Sequence, residues 1–77
     1  MKTLNLSNST KAENLVEIAN EACNILNSDA DENQDFQVDG EDIIEYDLTE
    51  EIDPIYWKID TVAWNEDGTA SQVNLDC

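Results

Sequence analysis

The feature that most constrains this chain is a run of acidic residues at positions 29–53. The run holds twelve of the nineteen carboxylates in a chain of 77 residues, and it contains no Lys, Arg or His. The residues before the run sum to a charge of −1, the run itself to −12 and the residues after it to −3. Charges of one sign at this density repel one another, so a stable fold has to spread them over its surface.

Length and composition predict one small domain. A chain of 77 residues forms a single unit and buries only about 60% of the surface that it exposes when unfolded. Hydrophobic residues make up 40% of the chain, which is enough for a small core. We therefore expect one acidic α+β domain over 1–77, with a flexible acidic loop at 28–35, where few side chains can be buried.

The metal-binding and redox residue types are scarce. The chain has no His, and its two cysteines are Cys23 and Cys77. This composition excludes the usual zinc, haem and iron–sulfur sites, so we predict no cofactor. Two cysteines are too few for a disulfide framework, no apolar leader follows Met1, and no run is long enough to span a membrane. These patterns favour a cytoplasmic protein.

A helix is predicted over about 11–27. Thr10 and Glu13 have the spacing of a capping box, in which each side chain satisfies a backbone amide at the start of a helix. Apolar side chains then recur at helical spacing along one face: Leu15, Ile18, Ala19, Ala22, Ile25 and Leu26. Asn27 and Ser28 end the pattern, since Asn tolerates the left-handed conformation that often closes a helix.

Two strands are predicted on either side of a turn at Asp39–Gly40, over 35–38 and 43–48. In the second strand, Ile44, Tyr46 and Leu48 share one face, and Glu45 and Asp47 share the other. Two shorter segments complete this part of the chain. They are a strand within 1–8, where Leu4 and Leu6 alternate with polar residues, and a single helical turn at 49–53 before Pro54.

The C-terminal third is predicted to be a hairpin with two competing registers. A two-residue turn at Asp67–Gly68 pairs Val62 with Val73 but sets Asp60 against Leu75. A three-residue loop at 66–68 keeps one face apolar, and we favour it for that reason. Its pairs are Ile59 with Leu75, Thr61 with Val73 and Lys58 with Asp76.

The favoured register places Trp57 on the apolar face together with Ile59, Thr61 and Ala63, and it places Trp64 on the opposite face. The predicted fold class is α+β. One N-terminal helix packs on an antiparallel sheet of three to four strands that ends in the C-terminal hairpin.

Neither a calcium site nor a catalytic site is predicted. Asp29, Asp31, Asn33 and Asp35 follow the alternation of an EF-hand loop, but Gln34 replaces its essential glycine and Gly40 its bidentate glutamate. Paired carboxylates need a cleft that shifts one pKa, and a domain of this size offers little cleft. The cysteines have no histidine to act as a base. We therefore predict that the protein is not an enzyme.

The acidic residues form rows whose spacing is similar to that of phosphates in DNA. Alternate residues of a strand lie roughly 6.6 Å apart, which sets the spacing of Glu45 and Asp47. Glu13, Glu17 and Glu21 recur every four residues of the predicted helix, roughly 6 Å apart along its axis. Such rows predict a copy of the nucleic-acid backbone, whose phosphates lie about 3.4 Å apart along the axis of each strand. An acidic surface without a specific partner is the alternative.

In its size and its lysine-free run, the chain resembles the small acidic DNA-mimic inhibitors of phages and other mobile elements. That group includes anti-restriction proteins, uracil-DNA glycosylase inhibitors and several anti-CRISPR proteins. The resemblance implies an inhibitor that occupies the nucleic-acid-binding groove of a host defence protein, with CRISPR effectors and restriction systems favoured as targets. It implies action in the bacterial cytoplasm. The net charge of −16 predicts no direct binding to nucleic acid or to an anionic membrane, and we expect a monomer or small homo-oligomer.

The predicted partner is a basic DNA-binding protein or nucleoprotein complex. The alternatives are an acidic binding module or chaperone for such a protein, and a domain whose charge only confers solubility. The residues predicted to bind the partner are eleven acids and one tryptophan: Glu13, Glu17, Glu21, Asp39, Glu41, Asp42, Glu45, Asp47, Glu50, Glu51, Asp53 and Trp64.

Overall fold

A computed structural model describes residues 1–6, 14–49 and 53–77, and in these residues one helix packs against one antiparallel sheet. The elements in chain order are β1 (Lys2–Asn5), α1 (Leu15–Asp29), β2 (Gln34–Asp39), β3 (Asp42–Asp47), β4 (Ile55–Trp64) and β5 (Ala70–Asp76). The predicted α+β class is confirmed. The sheet has five described strands, in the order β1-β5-β4-β3-β2, where the sequence predicted three to four.

Strand β4 joins two halves of the sheet. Its first residues pair with β3, from Ile55 opposite Glu45 to Lys58 opposite Asp42. The stretch from Lys58 to Trp64 pairs with β5, and β1 adds to the far side of β5. The short N-terminal strand and the C-terminal hairpin are therefore both present as predicted.

The helix begins later than the sequence predicted. Its N-cap is Asn14, whose Oδ1 accepts a hydrogen bond from the backbone N–H of Glu17 at 3.1 Å. Asn is among the best N-cap residues, because its side chain satisfies an amide that has no partner within the helix. The predicted capping-box residues Thr10 and Glu13 lie outside the described residues, and the helix ends at Asp29, two residues later than predicted.

The β2–β3 turn lies one residue further along the chain than predicted. Asp39 pairs with Asp42, so the two-residue loop is Gly40–Glu41. Gly40 has a φ of 63°, a conformation that glycine adopts without steric cost. Glycine at the first loop position is the arrangement of a type II′ hairpin turn, whose twist suits the flanking strands.

The loop predicted to be flexible, 28–35, is shorter in the structure. Helix α1 includes its first two residues and β2 its last two, which leaves 30–33 as the connection. The backbone N–H of Leu48 donates to the carbonyl of Asn33 at 2.7 Å, so this connection lies beside the end of β3. Flexibility of the loop stays a prediction. The helical turn predicted at 49–53 falls on residues 50–52, which lie outside the described part of the chain.

Strand β4 uses both of the competing registers. Ile59 pairs with Leu75, as in the favoured register, but a bulge at Asp60 then shifts the pairing by one residue. Val62 consequently pairs with Val73, as in the rejected register. The bulge leaves Asp60 without a cross-strand partner. It also makes Val62, rather than Thr61, the next side chain of β4 that points into the core.

This shift corrects three placements. Thr61 and Ala63 face away from the helix, where the sequence predicted that they face the core. Trp64 lies on the helix side of the sheet, since it follows Val62 by two residues and pairs with buried Ala70. Its indole is still 51% exposed, so the predicted exposure of Trp64 agrees with the structure while the predicted face is wrong.

The core lies between α1 and the helix-facing side of the sheet. Its buried members come from the helix, from strands β2 to β5 and from Leu6 just after β1: Leu6, Ile18, Ala19, Ala22, Cys23, Leu26, Phe36, Ile43, Trp57, Ala70, Val73 and Leu75. Trp57 is predicted and found on this face, 8% exposed. Trp57 is the direct partner of buried Ile43 on β3, and Ile59, two residues further along β4, pairs with buried Leu75 on β5.

The helix also protects the outer edge of β2. Asn27 Nδ2 donates to the carbonyl of Phe36 at 2.9 Å, and Asn27 Oδ1 accepts from the Phe36 N–H at 3.0 Å. The Cys23 thiol donates to the same carbonyl at 3.3 Å. These bonds occupy backbone groups that would otherwise be open to pairing with another strand.

No helix in the described ranges is both long enough and apolar enough to cross a membrane.

Replacing Trp57 tests the position of the core. We expect Trp57→Ala to lower the free energy of unfolding by about 3–5 kcal/mol, because a large buried side chain is lost from a small core. Trp64→Ala is the matched control, and it should cost much less because half of that indole is already exposed. Urea denaturation measures both. A larger loss for Trp64→Ala would contradict the observed register of β4.

Replacing Asn27 tests the protection of the β2 edge. Asn27→Ala leaves both backbone groups of Phe36 without this partner, at a cost of about 1–3 kcal/mol. Asn24→Ala serves as control, because Asn24 is exposed on the same helix. Surface changes of that kind stay within about 0.5 kcal/mol. Equal stability of the two variants in thermal melts would show that Asn27 has no such role.

Candidate partner-binding surface

The sheet face that points away from α1, here called the outer face, is uncovered by any described element. Strand alternation identifies it, because Ile43 and Trp57 point to the core and their neighbours point the other way. A bare sheet face is common in antiparallel sheets, where one side packs on the core and the other meets water. What distinguishes this outer face is the kind of side chain that it carries.

Three side chains form an apolar centre on the outer face, here called the tyrosine patch: Ile44, Tyr46 and Tyr56. Ile44 and Tyr56 are direct cross-strand partners, and Tyr46 follows Ile44 by two residues on β3. Tyr56 is 56% exposed, and the other two side chains are half-buried. The sequence assigned Ile44 and Tyr46 to the apolar side of β3, but the buried residue of this strand is Ile43, which is 0% exposed.

Four carboxylates border the tyrosine patch and form the acidic rim: Asp35, Asp39, Asp42 and Asp76. Asp39, Asp42, Lys58 and Asp76 lie side by side in one row across four strands. Asp35 is the cross-strand partner of Tyr46, and its Oδ2 accepts from Gln37 Nε2 at 2.9 Å. The rim keeps three net negative charges after Lys58 is counted.

The arrangement of the rim carries a cost in stability. Directly opposed side chains of an antiparallel pair have Cβ atoms about 4.5–5.5 Å apart, and like charges at that distance destabilise the pair. Asp39 and Asp42 are opposed in this way, next to the exposed Glu41 in the turn. The predicted residues Asp39, Glu41 and Asp42 are therefore brought together at one end of the β2–β3 hairpin.

Beyond Asp76, the part of the outer face on β1 and β5 is polar and uncharged. Thr3 Oγ1 donates to Asn74 Oδ1, and Asn74 Nδ2 donates to Thr61 Oγ1, both at 2.7 Å. Gln72 Nε2 donates to Asn5 Oδ1 at 3.3 Å. These side chains satisfy one another across the strands. The charge on the outer face is therefore concentrated on the half that also carries the tyrosine patch.

Glu45 and Asp47 share one face of β3, as predicted, but it is the face that points toward the helix. Glu45 is half-buried, and its Oε1 accepts from the indole N–H of Trp57 at 3.1 Å. Asp47 Oδ1 accepts from the backbone N–H and the hydroxyl of Thr49, at 2.9 and 2.7 Å. The prediction of an outward row at these two positions is wrong, because the burial of Ile43 sets the opposite phase for the strand.

The remaining predicted residues are spread over the molecule. Glu17 and Glu21 lie on α1, while Asp53 is exposed before β4. Three predicted acids lie outside the described residues, namely Glu13, Glu50 and Glu51. Glu13 also precedes the N-cap of α1, so the predicted ladder retains two acids on the helix. Trp64 lies at the far end of β4, away from the rim.

Sequence reasoning missed the tyrosines and two of the rim acids, Asp35 and Asp76, as parts of a surface. It also missed Lys2, whose ammonium lies 5.1 Å from the centroid of the Trp57 ring. Such a contact stabilises a cation against the negative face of the ring. No sequence pattern signals it, because β1 and β4 are far apart in the chain and are separated by β5 in the sheet.

The described residues form no enclosed site for catalysis or metal binding. They contain no pocket, and no three Cys, Asp or Glu side chains among them converge as metal ligands would. Burial raises the pKa of the Cys23 thiol, and the nearby Asp35 carboxylate raises it further. Cys77 is exposed.

A scan against protein-family models and searches of curated proteins and of solved structures found no match to this chain.

Paired replacements of acids test the assignment of faces. Glu45→Ala removes the acceptor of a buried indole N–H, and we expect it to lower the free energy of unfolding by about 1–3 kcal/mol. Asp39→Asn relieves the repulsion with Asp42, so it should leave the melting temperature unchanged or raise it. Thermal melts compare the two. If Glu45→Ala were as stable as the wild type, Glu45 would have to point into solvent.

Proposed function

We propose that this chain is a DNA-mimic inhibitor, which occupies the nucleic-acid-binding groove of a basic protein and blocks the binding of DNA there. The observation that carries the proposal is the density of negative charge along an elongated body. The described residues measure 43 × 19 × 19 Å between Cα atoms, and they hold sixteen acids against two lysines.

The charge density is similar to that of nucleic acid. The net charge of −14 on the described residues, spread over 43 Å, amounts to about one charge per 3 Å. Duplex DNA carries about one charge per 1.7 Å of axis, and each of its strands about one per 3.4 Å. The body is somewhat longer than one helical turn of DNA, which is about 34–36 Å. A groove that holds one turn of duplex is thus matched in length and partly in charge.

The acids are distributed so that several sides of the body are negative. The rim lies on the outer face, Glu66 and Asp67 lie in the β4–β5 turn, and Asp31 and Glu32 lie in the connection between α1 and β2. Lys58 is the one described lysine on the outer face. A groove lined with Lys and Arg attracts such a body from a distance and speeds its association. Once bound, the body excludes DNA by occupying its place.

The resemblance to small phage-type inhibitors supports a host defence protein as the target, with a CRISPR effector or restriction system favoured. On this proposal the chain acts by binding, with no chemical step, in the cytoplasm of a bacterial host. It neither binds nucleic acid directly nor needs a cofactor. A uracil-DNA glycosylase is an alternative target of the same kind.

A second candidate is an acidic binding module or chaperone for a basic DNA-binding protein. The tyrosine patch favours this second candidate. A copy of the phosphate backbone needs no apolar surface, whereas a protein partner can bury an apolar patch. Such a module would bind its partner without competing with DNA for the same groove. Competition therefore separates the two functions.

A competition assay tests the proposed function. The protein is added to a complex of a DNA-binding target and fluorescently labelled duplex, and the anisotropy of the label reports the bound fraction. We expect release of the DNA, with an inhibition constant that weakens steeply between about 0.05 and 0.5 M salt because charged groups dominate the contact. Trp57→Ala is the control, because it keeps the charge of the wild type and destabilises the fold that arranges that charge.

Two results would contradict the proposal. Binding to the target with the DNA still in place would favour the acidic module. Release that does not change with salt would show that the acids are not what the target recognises.

A further inference from the structure

We propose that the outer face is the contact surface of this protein and that it selects arginine over lysine in its partner. This inference rests on the proposed function, since it assumes a basic partner. It adds where the partner binds and which basic side chain it presents. The observation behind it is that the tyrosine patch, in which Tyr56 is exposed and Tyr46 half-buried, lies on the same face as the rim carboxylates and next to them.

The patch and the rim are neighbours by strand pairing. Tyr46 is directly opposite Asp35, so a carboxylate lies one strand away from its ring. Tyr56 is directly opposite Ile44, and Asp42 precedes Ile44 by two residues on the same face of β3. Asp42 and Tyr56 are thus diagonal neighbours, about 7–8 Å apart and within reach of a long side chain that contacts both.

This combination suits a guanidinium group better than an ammonium group. Guanidinium is planar and weakly hydrated, so it stacks on an aromatic ring and still donates two parallel hydrogen bonds to a carboxylate. Ammonium is a compact and strongly hydrated charge that loses more when it leaves water. An aromatic ring with a carboxylate beside it therefore distinguishes arginine from lysine, although the two carry equal charge. A carboxylate alone distinguishes them poorly.

The charges on the outer face exclude the other occupants. A second copy of this chain would bring one acidic rim against another, and nucleic acid would bring phosphates against the same rim. A basic protein surface is the complementary partner. The uncharged ladder of Thr3, Asn74 and Thr61 lies on the same sheet face and is separated from the tyrosine patch by the Lys58–Asp76 pair, so it provides a matched control site.

The test uses two synthetic peptides of equal length and charge. One contains arginine and the other lysine, and in both the basic residues are interspersed with glycine. Calorimetry measures their binding to the wild type, to Tyr56→Ala, to Tyr56→Phe and to Thr61→Ala. We expect the wild type to bind the arginine peptide about two- to five-fold more tightly, the size of an exposed cation–π contact. Tyr56→Phe and Thr61→Ala should keep that preference and Tyr56→Ala should lose most of it.

Replacing Asp39 and Asp42 by Asn should weaken the binding of both peptides. The exposed pair Glu32→Gln and Glu66→Gln removes the same charge elsewhere and should weaken it less. Raising the salt concentration should lower both affinities and leave the ratio between them in place, because stacking is less screened than charge pairing. Thermal melts confirm that each variant is folded.

Equal affinity of the wild type for the two peptides would overturn the selectivity, and a preference that survives Tyr56→Ala would overturn the placement on the outer face. In either case, displacement of DNA from a target would leave the proposed function standing. If neither peptide bound at low salt and no DNA were displaced, both the inference and the proposed function would fail.

Discussion

The register of β4 is the constraint on which the rest of the structure depends. This strand is the only described one that joins the two halves of the sheet, and it carries Trp57, Ile59 and Val62 toward the helix on both sides of the bulge at Asp60. Without the bulge, a strand that keeps Ile59 inward would turn Val62 outward, and a strand that keeps Val62 inward would turn Asp60 into the core. Because the core is small and the domain marginally stable, a shift of the register in either direction would destabilise the fold strongly.

The fixed inner face decides where the charge goes. Ile43 pairs with Trp57, which turns Asp42 and Tyr46 outward and brings Glu45 inward to the Trp57 indole. Glu45 thus supports the core, whereas the acids of the rim have like-charged neighbours and one lysine among them. The same pairing leaves Tyr56 exposed and Tyr46 half-buried on the charged half of the outer face. A surface meant only for solubility needs neither this excess of charge, which goes beyond the magnitude of about 2–8 that suffices, nor exposed aromatic rings.

The sequence predicted the types of the helices and strands well. It predicted less well where the helix begins and which face of each strand points to the core. The helix, the two hairpins and the inward Trp57 follow from periodicity and turn residues, which are local signals. The alternation in β3 favours the face of Ile44, Tyr46 and Leu48, so the burial of the opposite face could not be predicted. It is decided by the long-range pairing of Ile43 with Trp57. The helix start was misplaced because Thr10 and Asn14 are both residue types that cap helices well, and the sequence pattern alone does not choose between them. The hairpin follows one predicted register before the bulge at Asp60 and the other register after it, although the two were predicted as alternatives.

The composition of the outer face depends on which side chains of each strand point outward. For this reason, only part of that face was predicted.

Acids that are retained for a partner must lower the stability of the free protein, and the dependence of that stability on salt measures this most directly. Urea is uncharged, so urea denaturation gives the free energy of unfolding at each KCl concentration. Between about 0.01 and 0.5 M KCl the screening length falls from about 30 Å to well below 10 Å. Repulsion among the acids predicts that the free energy of unfolding rises across this range. A value that stays constant or falls would contradict the account, because the acids would then be balanced within the folded protein.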